Sequence, residues 1–191
     1  MRKNLIGVFV FVFLACSLVS APASAGRIEK AALLFQQAET QAAQKSWQKA
    51  LELYQEAYIT YPKAEYVFKI ARCHEKLGNL PMALEAYLTF TQYEQSPGIT
   101  KRVAGEVKRL EELLSKDHGK VFISSSPKAA TVFVDSISKE TMIRQTPATR
   151  WLKAGEHSLI YKKDNFLPQE IKIQVEKGST ISVFAGLVPK K

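Results

Sequence analysis

Ser46-Trp47-Gln48-Lys49-Ala50-Leu51-Glu52-Leu53-Tyr54-Gln55-Glu56-Ala57 reads against Asn79-Leu80-Pro81-Met82-Ala83-Leu84-Glu85-Ala86-Tyr87 at a constant offset of 33 residues. Ala50 falls on Ala83, Leu51 on Leu84, Glu52 on Glu85 and Tyr54 on Tyr87. A self-match at a period in the thirties is the signature of a stacked helical repeat. Working outward, apolar spacing predicts five helices, over residues 28–45, 47–61, 64–77, 81–93 and 100–116. Ser46 is the expected N-cap of the second helix, and Pro62 closes it. Gly78 suits the left-handed turn after the third. Pro81 fits the first turn of the fourth, and Pro97-Gly98 reads as a break.

The repeated residues resemble the tetratricopeptide repeat family, whose units are helix–turn–helix pairs of about 34 residues. The resemblance puts Ala38 and Ala71, then Ala50, Ala57 and Ala83, at close helix crossings, with Leu51, Tyr54, Leu84 and Tyr87 filling the space between pairs. Phe90 stands where the family usually has another alanine. Two repeats need a terminal cap, and the fifth helix supplies it, turning Lys101, Arg102, Glu106, Arg109 and Glu112 to water. The same resemblance implies that the first helix of each pair forms a concave face, lined here by Phe35, Glu39, Ala42, Phe68, Lys69, Arg72, Glu75 and Lys76. Lys69, Arg72 and Lys76 lie at i, i+3 and i+7 and share a face that suits a carboxylate-bearing partner. The same pattern also describes a solvated helix surface. The asparagines of the family's carboxylate clamp are not reproduced.

Arg2 and Lys3, the apolar run from Leu5 to Ala15, and Ala21-Pro22-Ala23-Ser24-Ala25 read as a secretory leader over residues 1–25, cut after Ala25. Phe13-Leu14-Ala15-Cys16 loosely resembles a lipoprotein cleavage box, so anchoring at Cys16 is the minor alternative to plain export. An exported, periplasmic or envelope-associated protein is the expectation, with no membrane span once the leader is gone. Cys73 is then the one remaining cysteine, so core packing replaces disulfides, and Cys73 itself reads as a buried small hydrophobe. The full chain carries 27 basic and 18 acidic residues. Residues 119–191 hold 12 basic against 6 acidic, a skew that points toward an anionic surface or polymer.

After Asp117-His118-Gly119 the period changes from helical to alternating. Val121 and Ile123, Val132 and Val134, Ile171, Ile173 and Val175, and Ile181, Val183 and Leu187 mark half-buried strands. Turns fall at Ser126-Pro127, Asp135-Ser136, Ala154-Gly155, Asp164-Asn165 and Lys177-Gly178. Val121-Phe122-Ile123-Ser124-Ser125-Ser126-Pro127, Thr131-Val132-Phe133-Val134-Asp135, Thr146-Pro147 and Leu152-Lys153-Ala154-Gly155-Glu156-His157 resemble the PEGA domain family. The turn that names the family reads Pro127-Lys128-Ala129-Ala130, without its acid and glycine. The resemblance implies a compact sandwich-like β domain, found beside tetratricopeptide repeats in bacterial envelope proteins, with binding or architectural roles.

The fold class expected is thus α+β in two segregated domains, a helical solenoid over residues 26–117 and a small all-β domain over 118–191. Reaction machinery is not evident. His74, His118 and His157 have no metal-binding spacing, Ser124-Ser125-Ser126 has no elbow or base, and the glycines form no phosphate cradle. A non-enzymatic adaptor without cofactor is expected, binding a protein or peptide. Peptidoglycan or another anionic envelope polymer is the alternative partner, and nucleic acid is not expected.

Overall fold

The structure, a computed structural model, describes residues 23–93, 96–138, 141–143 and 145–191. Helices α1 (Ala23–Ala43), α2 (Trp47–Thr60), α3 (Ala64–Lys76), α4 (Leu80–Tyr93) and α5 (Pro97–Leu114) lead the chain, each packed on the next. All five expected helices are present. The reading of Pro97-Gly98 as a break is corrected, since Pro97 opens α5 at a position that has no backbone donor to lose. Ser46 precedes α2 but makes no side-chain cap bond; its carbonyl accepts from the Ala50 N–H at 3.0 Å. Gly78 takes φ +76° after α3, as its position requires. Cys16 and residues 1–22 of the expected 1–25 leader lie outside the described residues, while the expected cut after Ala25 falls in the first turn of α1.

Ala38, Ala50, Ala57, Ala71 and Ala83 are all fully buried. Small side chains here let helix backbones approach, and the larger residues fill what remains. Ala38, Ala50, Leu51, Tyr54 and Cys73 form one cluster; Val67, Ala71, Ala83, Leu84, Tyr87 and Phe90 join Val103, Leu110 and Leu114 of α5 in another. Phe90 is buried against Phe68, ring centroids 5.5 Å apart, so the larger side chain fits where the repeat pattern has alanine.

Among the described residues the β half holds seven strands: β1 (His118–Ser126), β2 (Thr131–Val134), β3 (Met142–Ile143), β4 (Ala148–Lys153), β5 (Gly155–Lys162), β6 (Gln169–Val175) and β7 (Thr180–Gly186). One sheet has the order β4-β1-β7, the other β3-β2-β5-β6. β1 runs antiparallel to β4 and parallel to β7. Inward residues of both sheets, among them Val121, Ile123 and Val183 from one and Val132, Leu159 and Tyr161 from the other, share one core. This is the two-sheet arrangement expected. Ser125 is buried inside it, donating to the Pro127 carbonyl at 2.7 Å and paired with the Thr146 hydroxyl at 2.6 Å. Its one proton is committed to holding the β1 exit.

A three-residue turn, 115–117, joins the halves, and its backbone is bonded on both sides. Asp117 N–H donates back to the Leu114 carbonyl, and the Asp117 carbonyl accepts from Ala154 N–H at 2.8 Å. Trp151 of β4 packs against the α4–α5 core, flanked by ion pairs Arg150–Glu85 (3.2 Å) and Lys120–Glu111 (3.1 Å). Gly119 sits at the foot of this joint. A Cβ there would lie 2.6 Å from Val175 Cγ1 and 2.7 Å from the Glu176 carbonyl oxygen. Gly119→Ala is therefore expected to cost about 1–3 kcal/mol by overpacking. Denaturant unfolding followed by tryptophan fluorescence checks it, and an unchanged midpoint would show that the strand yields freely.

Candidate functional site

The first helices of the pairs, α1 and α3, present one face together with α5. Glu39, Ala42, Lys69, Arg72 and Lys76, with Phe68 at one end, line a recess of about 200 Å³ floored by Trp47, Tyr54 and Cys73. Six of the eight residues expected on the concave face meet here. Phe35 lies off this recess, half-buried against Tyr66 (centroids 5.0 Å, stacked) and Tyr54 (5.6 Å), with Lys69 Nζ 5.7 Å above its ring. Glu75 turns toward α5 instead.

Two matching side-chain units organise the charges. In the first, the Tyr54 hydroxyl of α2 donates to Glu39 of α1, and Lys69 of α3 donates to the same carboxylate at 2.9 Å. In the second, the Tyr87 hydroxyl of α4 donates to Glu75 of α3 at 2.6 Å, and Arg109 of α5 completes the ion pair. Burial alone would raise the Glu39 carboxyl, but the bonds from Lys69 and Tyr54 outweigh it and hold the group below its usual range. Burial, reinforced by the accepting glutamates, pushes the Tyr54 and Tyr87 hydroxyls up. Arg109 is exposed, as expected, and from that position it also pairs with Glu75. Bonds to Glu106 and then Glu75 raise its guanidinium further, making it a strut between α3 and α5.

What remains outward in this recess is cationic. Arg72 and Lys76 are exposed, and among the described residues neither enters an ion pair. Arg72 lies close enough to the Tyr87 hydroxyl for its charge to offset part of the upward push on that group. Beyond Phe68 lies a second recess of about 290 Å³, lined by Ala64, Glu65, Phe68, Phe90, Ile99, Arg102 and Val103. Sequence reasoning missed it because its far wall is α5, taken only as a cap; the apolar Ile99 before Val103 is the signal that could have shown it. Phe68 divides a basic recess from an apolar one.

The remaining titratable groups serve structure. Burial pushes the Cys73 thiol up to about 11, so it stays protonated at neutral pH. His74 is buried, and burial holds it below the usual histidine range. His157 sets Nδ1 2.8 Å from Asp135 and Nε2 2.7 Å from the Lys153 carbonyl, while Asp135 also accepts from Ser158 N–H at 2.9 Å. The imidazole thus bolts the turn after β2 to the β4–β5 corner. Among the described residues, no cluster of three histidine, cysteine or acidic side chains is placed to hold a metal. No helix among them is long and apolar enough to cross a membrane.

Gly155 at the β4–β5 corner, the clamped His157 and the two-sheet core accord with the expected β family. Residues 118–191 match the PEGA domain family model. The match covers the whole β half, from the first residue of β1 to the end of the chain, and supports a periplasmic or surface-binding role. No curated protein matches the chain. The five helices before the PEGA-matched half stand on their own geometry.

Proposed function

We propose that the protein is a non-enzymatic adaptor of the bacterial cell envelope. In this reading, α1–α4 are two tetratricopeptide-type repeats, α5 closes the stack, and the α1–α3–α5 face grips a protein segment. The PEGA-matched half docks on another envelope component. One observation supports it above the rest. Lys69 and Arg109 are neutralised within the fold, whereas Arg72 and Lys76 stay exposed beside an apolar recess. A segment with acidic residues next to an apolar anchor complements both features, since charge steers and the buried anchor holds. Export rests on the basic, apolar and small-residue order of residues 1–25.

The test is capture from envelope extract by the full chain, beside Arg72→Glu/Lys76→Glu. Both residues are exposed, so the double variant is expected to fold and melt like the parent. A partner retained by the parent and reduced about tenfold or more by the double variant is the expected result. Equal recovery by the two proteins, or none by either, rejects this face as the binding surface.

A further inference from the structure

On the β half, away from the helical face, the β2–β5 side and the β5–β6 loop enclose an open recess of about 880 Å³. Half-buried Phe133 and Phe166 contribute aromatic surface, and Lys162, Lys163 and Lys190 bring three cations against the single acid Asp164. Lys162 Nζ stands 5.5 Å over the Phe133 ring, which steadies the side chain without cancelling its charge. Lys163 Nζ spends one of its three protons on the Ala129 carbonyl at 3.2 Å. The last residues of the chain are pinned here as well. Lys190 N–H donates to the Asn165 carbonyl at 2.9 Å, and Leu167 N–H to the Val188 carbonyl at 2.8 Å. Lys190 is thereby held at the rim rather than trailing free.

We propose that this recess binds an anionic saccharide, its sugar rings lying on the aromatic surface and its acid groups meeting Lys162, Lys163 and Lys190. A concave wall with rings, cations and one hydroxyl-accepting carboxylate fits a chain of charged sugars. Leu167 and Val188 beside the recess are exposed and would suit a bilayer surface, but within the recess Phe133 and Phe166 are half-buried in a concave wall that suits sugar rings better, and the vesicle comparison below separates the two. The inference gives a chemical class to the component on which the PEGA-matched half docks, and it rests on that docking role.

The probe is polygalacturonate, with neutral dextran and phosphatidylglycerol vesicles as comparisons, titrated calorimetrically against the purified chain at fixed ionic strength. The chain is expected to bind polygalacturonate and not dextran. Lys162→Gln/Lys163→Gln/Lys190→Gln should weaken binding by about tenfold or more, because charge attraction in a partly desolvated recess exceeds that at an open surface. Lys49→Gln/Lys101→Gln/Lys116→Gln, with the same change of net charge elsewhere, should lose less than about twofold. Should the first triple variant melt early, Lys190→Gln alone, on an exposed residue, is expected to lose about threefold. Equal loss in both triple variants, no binding to polygalacturonate, or binding to the vesicles alone would each overturn the inference. None of these lysines lies on the helical face, so failure here leaves the capture experiment with Arg72 and Lys76 standing.

Discussion

Tyr87→Ala is expected to remove about 3–5 kcal/mol of folding stability, the range for deleting a large buried aromatic side chain. The residue is fully buried, packs edge-on against Phe68 at 5.8 Å, and donates to Glu75. Truncation leaves a cavity between α3, α4 and α5, and it frees a glutamate that also anchors Arg109. Tyr87→Phe keeps the ring and loses the hydroxyl, so its cost should be smaller, about 1.5–3 kcal/mol for a hydrogen bond to a charged acceptor. Urea unfolding followed by circular dichroism at the helical band separates the two. An alanine variant as stable as the parent would mean that the site collapses around the gap and that α5 is not held through Glu75.

Ala50→Trp and Ala83→Trp should each cost about 1–3 kcal/mol or more by overpacking. Both positions are fully buried, Ala50 beside Ala38 and Tyr54, Ala83 beside Ala71 and Tyr87. An indole there has no room unless the helices separate, which would strip packing from the larger side chains around it. Ala32→Trp, on the exposed side of α1, serves as the reference and should stay within about 0.5 kcal/mol of the parent. The same urea titration measures all three, and matching midpoints would show that the crossings are looser than their burial implies.

The helices were legible because local signals agree with one another. Apolar spacing, Gly78 and Pro81 each act within a turn or two, and the 33-residue offset between Ala50 and Ala83 adds a second, independent register. Cap chemistry was less reliable. Ser46 has the right identity and place, yet its hydroxyl makes no cap bond, and Pro97 starts a helix where it looked like an interruption. The face itself was also readable, since Lys69, Arg72 and Lys76 follow from helical spacing alone. Which of them stays charged toward a partner was not. The tyrosines repeat at 33 residues, but Glu39 to Glu75 spans 36 and Lys69 to Arg109 spans 40. Side chains that meet across helices need not keep the period of the backbone. In the β half, β6 and β7 show alternation, whereas β3 has two residues and β4 carries Trp151 outward to the helices, so neither announces itself.

The joint at 115–117 has a mechanical consequence. With its backbone bonded on both sides and Trp151 wedged beside it, the connection behaves as a bracket rather than a tether. In the adaptor reading proposed above, a partner held at one end would fix the direction in which the other end points. Partners engaged together would therefore be selected by the angle between them, and lengthening the turn with glycines would trade that angular choice for reach.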